Sequence, residues 1–227
     1  MQDINQETFS FLNELQLNNN REWFENNRLR FTNIQNGIKN ISSIIVEELN
    51  KHDNVESSKI FRIYRDVRFS KNKTPYKINF GISFKRNTLS LRGGYYLHIK
   101  PNESFIACGF FKPNKADLLR VRKELEFDSD EFREIINEKS FKNNWGKIDG
   151  NPVKTAPRGF SKDDSNIDLI RMKRYLFFKK YRDDSVLSSN FIDNISRDFK
   201  SMRPFLDYMS TVLTTDLNGI SVLENDF

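Results

Sequence analysis

Ile60 to Lys77 reads IFRIYRDVRFSKNKTPYK, with Arg62, Arg65, Arg68, Lys71, Lys73 and Lys77 set against a single carboxylate, Asp66. Its first half alternates apolar and polar residues, which predicts a β-strand and its exit turn. Period-two spacing puts Phe61, Ile63, Val67 and Phe69 on one face and Arg62, Tyr64, Asp66 and Arg68 on the other. Arg65 falls on the apolar side, which predicts a bulge, a strand end or a buried ion pair with Asp66, Glu22 or Glu25. Guanidinium groups at this density must be paired, exposed or used, because burying one unpaired is costly.

Reading outward, the segment upstream is helical. Phe9, Leu12 and Leu15 sit at helical spacing over Thr8 to Leu17, and Asn18-Asn19-Asn20 supplies a break and an N-cap. A long amphipathic helix is expected behind it, its stripe running Phe24, Phe31, Ile34, Ile38, Ile41, Ile45 and Leu49. Downstream, three more strands are expected at Ile78 to Phe84, Gly94 to Lys100 and Ser104 to Phe111, the last two joined by a Pro101-Asn102-Glu103 hairpin. Gly93-Gly94 marks either a plain turn or a close approach of backbone or ligand.

Beyond Phe111 the pattern returns to helix, capped at Asn114 and at Asp128-Ser129. A turn-rich loop with Gly146, Gly150, Pro152, Pro157 and Gly159 follows, then a short helix, a last strand at Tyr175 to Tyr181 and C-terminal helices restarted by Pro204. Strands gathered between helical ends define an α+β protein. We expect a single domain over residues 1–227, an antiparallel sheet packed on one face by the N-terminal and C-terminal helices. Its helical N-terminal part spans 5–50, its sheet 60–111, and its later helices and last strand 114–215.

Charge singles out the same region. Lys59 to Lys100 holds eleven Lys and Arg against Asp66 alone, a net of +10, while the whole chain is +6 and the other residues therefore sum to −4. A localised basic field implies an anionic partner: nucleic acid, a phosphorylated metabolite or an acidic protein. A solvated face kept for solubility has the same composition.

Other features narrow the chemistry. The opening MQDINQETFSFLNEL lacks the basic and apolar regions of a secretory signal, and no apolar run reaches the roughly 18 residues of a membrane span. One cysteine, Cys108, allows no intrachain disulfide, as expected of a cytoplasmic protein. With His52, His98 and Cys108 alone, neither a four-ligand Cys/His zinc site nor a three-histidine one can be assembled. Asp66, Asp163, Asp164 and Asp168 are the carboxylates open to magnesium, but aspartates in loops and caps usually bind backbone, so no metal or other cofactor is expected. A serine triad would have to use His98 or His52. No Walker loop or dinucleotide fingerprint occurs.

The run Arg62-x-x-Arg65-Asp66-x-Arg68-Phe69, followed by Asn72-Lys73-x-x-Tyr76, carries a resemblance. With Asn20-Arg21-Glu22-Trp23-Phe24 before it and Gly94-Tyr95-Tyr96-Leu97-His98 after it, the chain resembles the bacterial family catalogued as domain of unknown function 2461. Pro157-Arg158-Gly159-Phe160 and Asp168-Leu169-Ile170-Arg171 are similar to that family's second half. Where the resemblance implies Asp-His-Pro, this chain has Asp163-Asp164-Ser165, which leaves no histidine to act there. The resemblance implies no activity.

The candidate ligand-binding set is Arg62, Tyr64, Arg65, Asp66, Arg68, Lys73, Tyr76, Lys77, Tyr96 and His98. Arginine forks grip phosphate oxygens, and tyrosines add hydroxyls and flat faces for bases. The leading expectation is a phosphate-bearing ligand, nucleic acid first. One alternative is a metal-independent enzyme on a phosphoester or other anionic substrate, with Asp66 or His98 as general base and Arg62, Arg68 and Lys73 stabilising charge. The other is a protein-interaction module whose arginines form a structural ion-pair network.

Overall fold

A computed structural model describes residues 4–87 and 90–223. Its strands are β1 (Val55–Ile60), β2 (Phe80–Arg86), β3 (Gly94–Ile99), β4 (Phe105–Phe110) and β5 (Tyr175–Lys180). They form one antiparallel sheet in the order β1-β2-β3-β4-β5, which makes the protein α+β as expected. The chain divides into two compact units, Met1–Phe84 with Tyr96–Ile106 and Lys180–Arg197, and Lys85–Tyr95 with Ala107–Lys179 and Asp198–Phe227. Their boundaries fall inside β2, β3, β4, β5 and the helix Phe191–Ser201, which is why no linker composition announces them.

In the first unit, α1 (Gln6–Leu17) starts at Asn5, whose side chain accepts from the Thr8 amide, and α2 (Arg21–Asn26) is capped in the same way by Asn20 through Trp23. The apolar stripe predicted for one long helix is split at Asn27 between α2 and α3 (Arg28–Asn50). Asn27 turns its amide back onto the Trp23 carbonyl at 2.9 Å and so ends α2, a local bond that spacing alone does not reveal. Phe31, Ile34, Ile38, Ile41, Ile45 and Leu49 form the buried face of α3, which packs along β1, with Ser42 Oγ donating to Ser58 Oγ at 2.7 Å.

The strand expected to start at Ile60 is the main correction. The chain is in the sheet over Val55–Ile60 instead, and after Phe61 donates to the Gly81 carbonyl it leaves to form an arm over 61–79. The arm pairs with itself: Arg65 N donates to Pro75 O, Lys77 N to Ile63 O, and Tyr64 bridges Tyr76. Pro75 withholds a donor from the return limb, so no regular ladder can form. The exposed cations also have no place in a sheet interior. Ile63 is buried, whereas Phe69, assigned by alternation to the same face, is 97% exposed. The next strand accordingly begins at Phe80 rather than Ile78.

The second unit contains α4 (Lys115–Phe127), α5 (Asp130–Asn137), α6 (Lys139–Trp145), α7 (Ile167–Ile170) and α10 (Arg203–Thr214). Phe132 of α5 meets Tyr175, Phe205 and Tyr208 edge-on or tilted, and Phe141 of α6 meets Phe177, so aromatic rings fill this core. Gly93, at φ +82°, serves close packing rather than a ligand, since a Cβ there would stand 2.8 Å from Leu206 Cδ2. The helices α8 (Asp183–Val186) and α9 (Phe191–Ser201) lie between β5 and α10. Along β3, Tyr95, Leu97 and Ile99 are buried while Tyr96 and His98 are half-buried, giving the strand one closed and one more open side.

Candidate functional site

The arm is held at its root by asparagine and stacking. Asn19 brackets the Tyr76 backbone, accepting from its amide at 3.1 Å and donating to its carbonyl at 3.0 Å. The Tyr76 ring lies flat on Phe24, centroids 4.0 Å apart, with Tyr64 at 5.3 Å. Tyr76 is therefore buried, which pushes its phenol pKa up, and it positions the arm rather than facing a ligand. Tyr64 is exposed at 43%.

Arg65 resolves differently from the expected buried ion pair. Its Nη1 donates to the Thr74 carbonyl at 3.2 Å and to the Thr74 hydroxyl, joining the two limbs. Glu25 is taken by Arg28 at 2.6 Å and held below the usual carboxylate range by that hydrogen bond. Asp66 grips Arg68 through Nε at 3.0 Å and Nη2 at 2.7 Å, so its carboxyl too is held low, first by the Arg68 side chain and then by the Arg68 amide. Both groups are exposed, and a carboxylate so stabilised as the anion is a weak base. Lys73 Nζ donates to the carbonyls of Val67 at 3.0 Å and Arg68 at 3.4 Å, and Lys77 Nζ to that of Arg62 at 2.8 Å.

Two centres result. At the tip stand Asp66, Arg68 and Lys73. Near the root stand Arg62, Lys77 and Phe61, whose ring has the Lys77 ammonium 5.7 Å and the Lys59 ammonium 5.9 Å from its centroid. Tyr96 lies 6.1 Å from Phe61, and its hydroxyl is 3.3 Å from His98 Nδ1, which Asn79 Nδ2 approaches at 3.5 Å. His98 stacks on Phe105 at 4.6 Å. Burial, reinforced by the Lys100 charge, brings its pKa down to about 4, so the imidazole is neutral near pH 7.

The +10 window does not act as one field. Arg86 is buried against Asp207 at 3.1 Å, Arg92 pairs with Asp117, and Lys100 pairs with Glu103 at 2.5 Å. What remains without a carboxylate partner among the described residues is Lys59, Arg62, Arg65, Lys71, Lys73 and Lys77. Of the other aspartates weighed for a metal, Asp164 accepts from the Asn166 amide at 2.7 Å and Asp168 pairs with Arg133 at 2.7 Å. Among the described residues no group of three or more His, Cys, Asp or Glu side chains stands ready to hold a metal ion. No described helix is long and apolar enough to cross a membrane. A cleft of about 400 Å³ lies along α1 and α3, lined by Asn5, Thr8, Asn33 and Gly37, but its one arginine, Arg30, is neutralised by Glu7 and Glu14.

Sequence reasoning missed Asn19, Thr74 and the exposure of Phe69. The Asn18-Asn19-Asn20 run and the Pro75-Tyr76 pair were the available signals, but their contact spans 57 positions.

Fold and site together define an α+β protein that carries a self-paired basic arm. The chain belongs to the family described as "Conserved hypothetical protein (DUF2461)", whose model matches residues 7–208. No curated protein and no solved structure matches it.

Proposed function

We propose that this protein binds a phosphate-bearing polyanion, nucleic acid, through the cations of Lys59 to Lys77. One observation carries the reading: Lys59, Arg62, Arg65, Lys71, Lys73 and Lys77, clustered in a single short segment, have no carboxylate partner among the described residues. A scaffold satisfies its guanidiniums internally; a phosphate site keeps donors and charge in reserve. Backbone carbonyls take only part of the donor capacity of Lys73 and Lys77, leaving N–H groups for a ligand.

The enzyme reading finds less support. Asp66 is exposed and held as a carboxylate by Arg68, so it makes a poor general base. His98 is neutral and could accept a proton, but its Nδ1 faces Tyr96 and Asn79.

Anisotropy titration of a labelled oligonucleotide against salt tests the proposal. If about five phosphates are engaged, the log–log slope is roughly −3.5, and each of Arg62→Ala and Lys77→Ala lowers its magnitude by about 0.7. Absence of binding near ~50 mM salt, where counterion release is most favourable, would reject it.

A further inference from the structure

We infer that Phe69 is a base-stacking side chain, and hence that the polyanion is single-stranded nucleic acid. This rests on the reading just given and narrows it. Phe69 is 97% exposed, more than any other exposed large apolar side chain described, and it sits in the run Arg68-Phe69-Ser70-Lys71.

The tip that carries it is braced rather than loose. Lys73 Nζ reaches across to the Val67 carbonyl at 3.0 Å, Ser70 N donates to the same oxygen at 3.3 Å, and Asp66 clamps Arg68. These bonds tie the backbone on both sides of Phe69, from which the ring projects into water. Such pre-organisation lowers the ordering cost of binding. Phe61 differs, because two ammonium groups and Tyr96 already attend its ring.

An exposed apolar ring with Lys71 and Lys73, which have no carboxylate partner among the described residues, close by in the chain matches an unpaired nucleotide: the base offers a flat face and the phosphate a charge. In a duplex the base faces are covered by their neighbours, so a ring that stacks discriminates against it.

The test compares wild type, Phe69→Ala and Phe69→Trp on a labelled oligothymidylate and on a duplex of the same length. Wild type should prefer the single strand. Phe69→Ala should lose roughly 5- to 140-fold in affinity, the range for removing one stacked aromatic, with salt slope and melting temperature unchanged. Phe69→Trp should keep the affinity, and its added fluorescence should be quenched by the strand. Equal binding by Phe69→Ala, or equal binding of duplex and single strand, would overturn the inference. So would sedimentation of wild type, but not of Phe69→Ala, with phosphatidylserine-containing vesicles in place of strand binding. If Arg62→Ala and Lys77→Ala leave strand binding intact, the polyanion reading itself fails; if they weaken it and Phe69→Ala does not, only the stacking role fails.

Discussion

The Tyr96 ring lies across the backbone of Gly81, so that a Cβ on Gly81 would stand 3.2 Å from Tyr96 Cζ and closer still to its hydroxyl. The glycine is thus what lets Tyr96 reach His98 Nδ1 while Phe61 and Phe105 flank its ring. Gly81→Ala should cost about 1–3 kcal/mol by overpacking, read as a lower urea midpoint. Adding Tyr96→Ala should restore part of the loss. Strict additivity of the two changes would show that they do not meet.

Two arginines of the same basic window should behave in opposite ways. Arg86 is buried, donating to Arg92 O at 2.8 Å, Ser210 Oγ at 3.2 Å and Asp207 at 3.1 Å. Arg86→Ala should cost about 3 kcal/mol, the low end for breaking a buried pair, because Asp207 is half exposed. Arg65→Ala removes only bonds to Thr74 and should cost about 0.5–1.5 kcal/mol. Chemical denaturation of both variants checks the ranking, and a larger loss at Arg65 would contradict the site as described.

Asp66 neutralises Arg68, so Asp66→Asn should release a cation at the tip of the arm. Oligonucleotide affinity should then rise and the magnitude of the salt slope increase by about 0.7. Weaker binding by this variant would mean that Asp66 holds Arg68 in the geometry a phosphate needs.

His98 gives the protein a pH dependence of definite sign. Its folded pKa of about 4 lies below the usual 6.5, chiefly because burial disfavours the imidazolium. The unfolded chain takes up this proton as pH falls below 6.5 while the folded protein does not until about 4. The contribution is therefore complete above that window and is lost on acidification through it. Melting curves from pH 7 to pH 4 should fall more steeply for wild type than for His98→Asn; parallel curves would place the imidazole in water.

Much of the fold was legible because it depends on local spacing and caps. Phe9, Leu12 and Leu15 announce α1, Asn20 and Asn114 cap their helices by bonds three residues long, and β3, β4 and β5 begin and end within a residue of their expected bounds. The basic segment was equally visible, since charge density needs no folding to be counted. The strand assignment at Ile60 failed because alternation describes only the side chains of a strand, not what its backbone pairs with. β1, whose VESSKI sequence carries little apolar signal, is a strand because β2 lies beside it.

What the sequence by itself determined about this protein is its class, most of its helices and the place of its surplus charge. Only the tertiary structure decided which charges remain free. Arg86 finds Asp207 across 121 positions and Asn19 finds Tyr76 across 57, and such contacts have no local signature. Neutralisation of a charge depends on distance in space, because Coulombic attraction and hydrogen bonding fall away within a few ångströms. That is why a uniform run of arginines and lysines separates, on folding, into structural pairs and an arm on which only Arg68 has a carboxylate partner among the described residues.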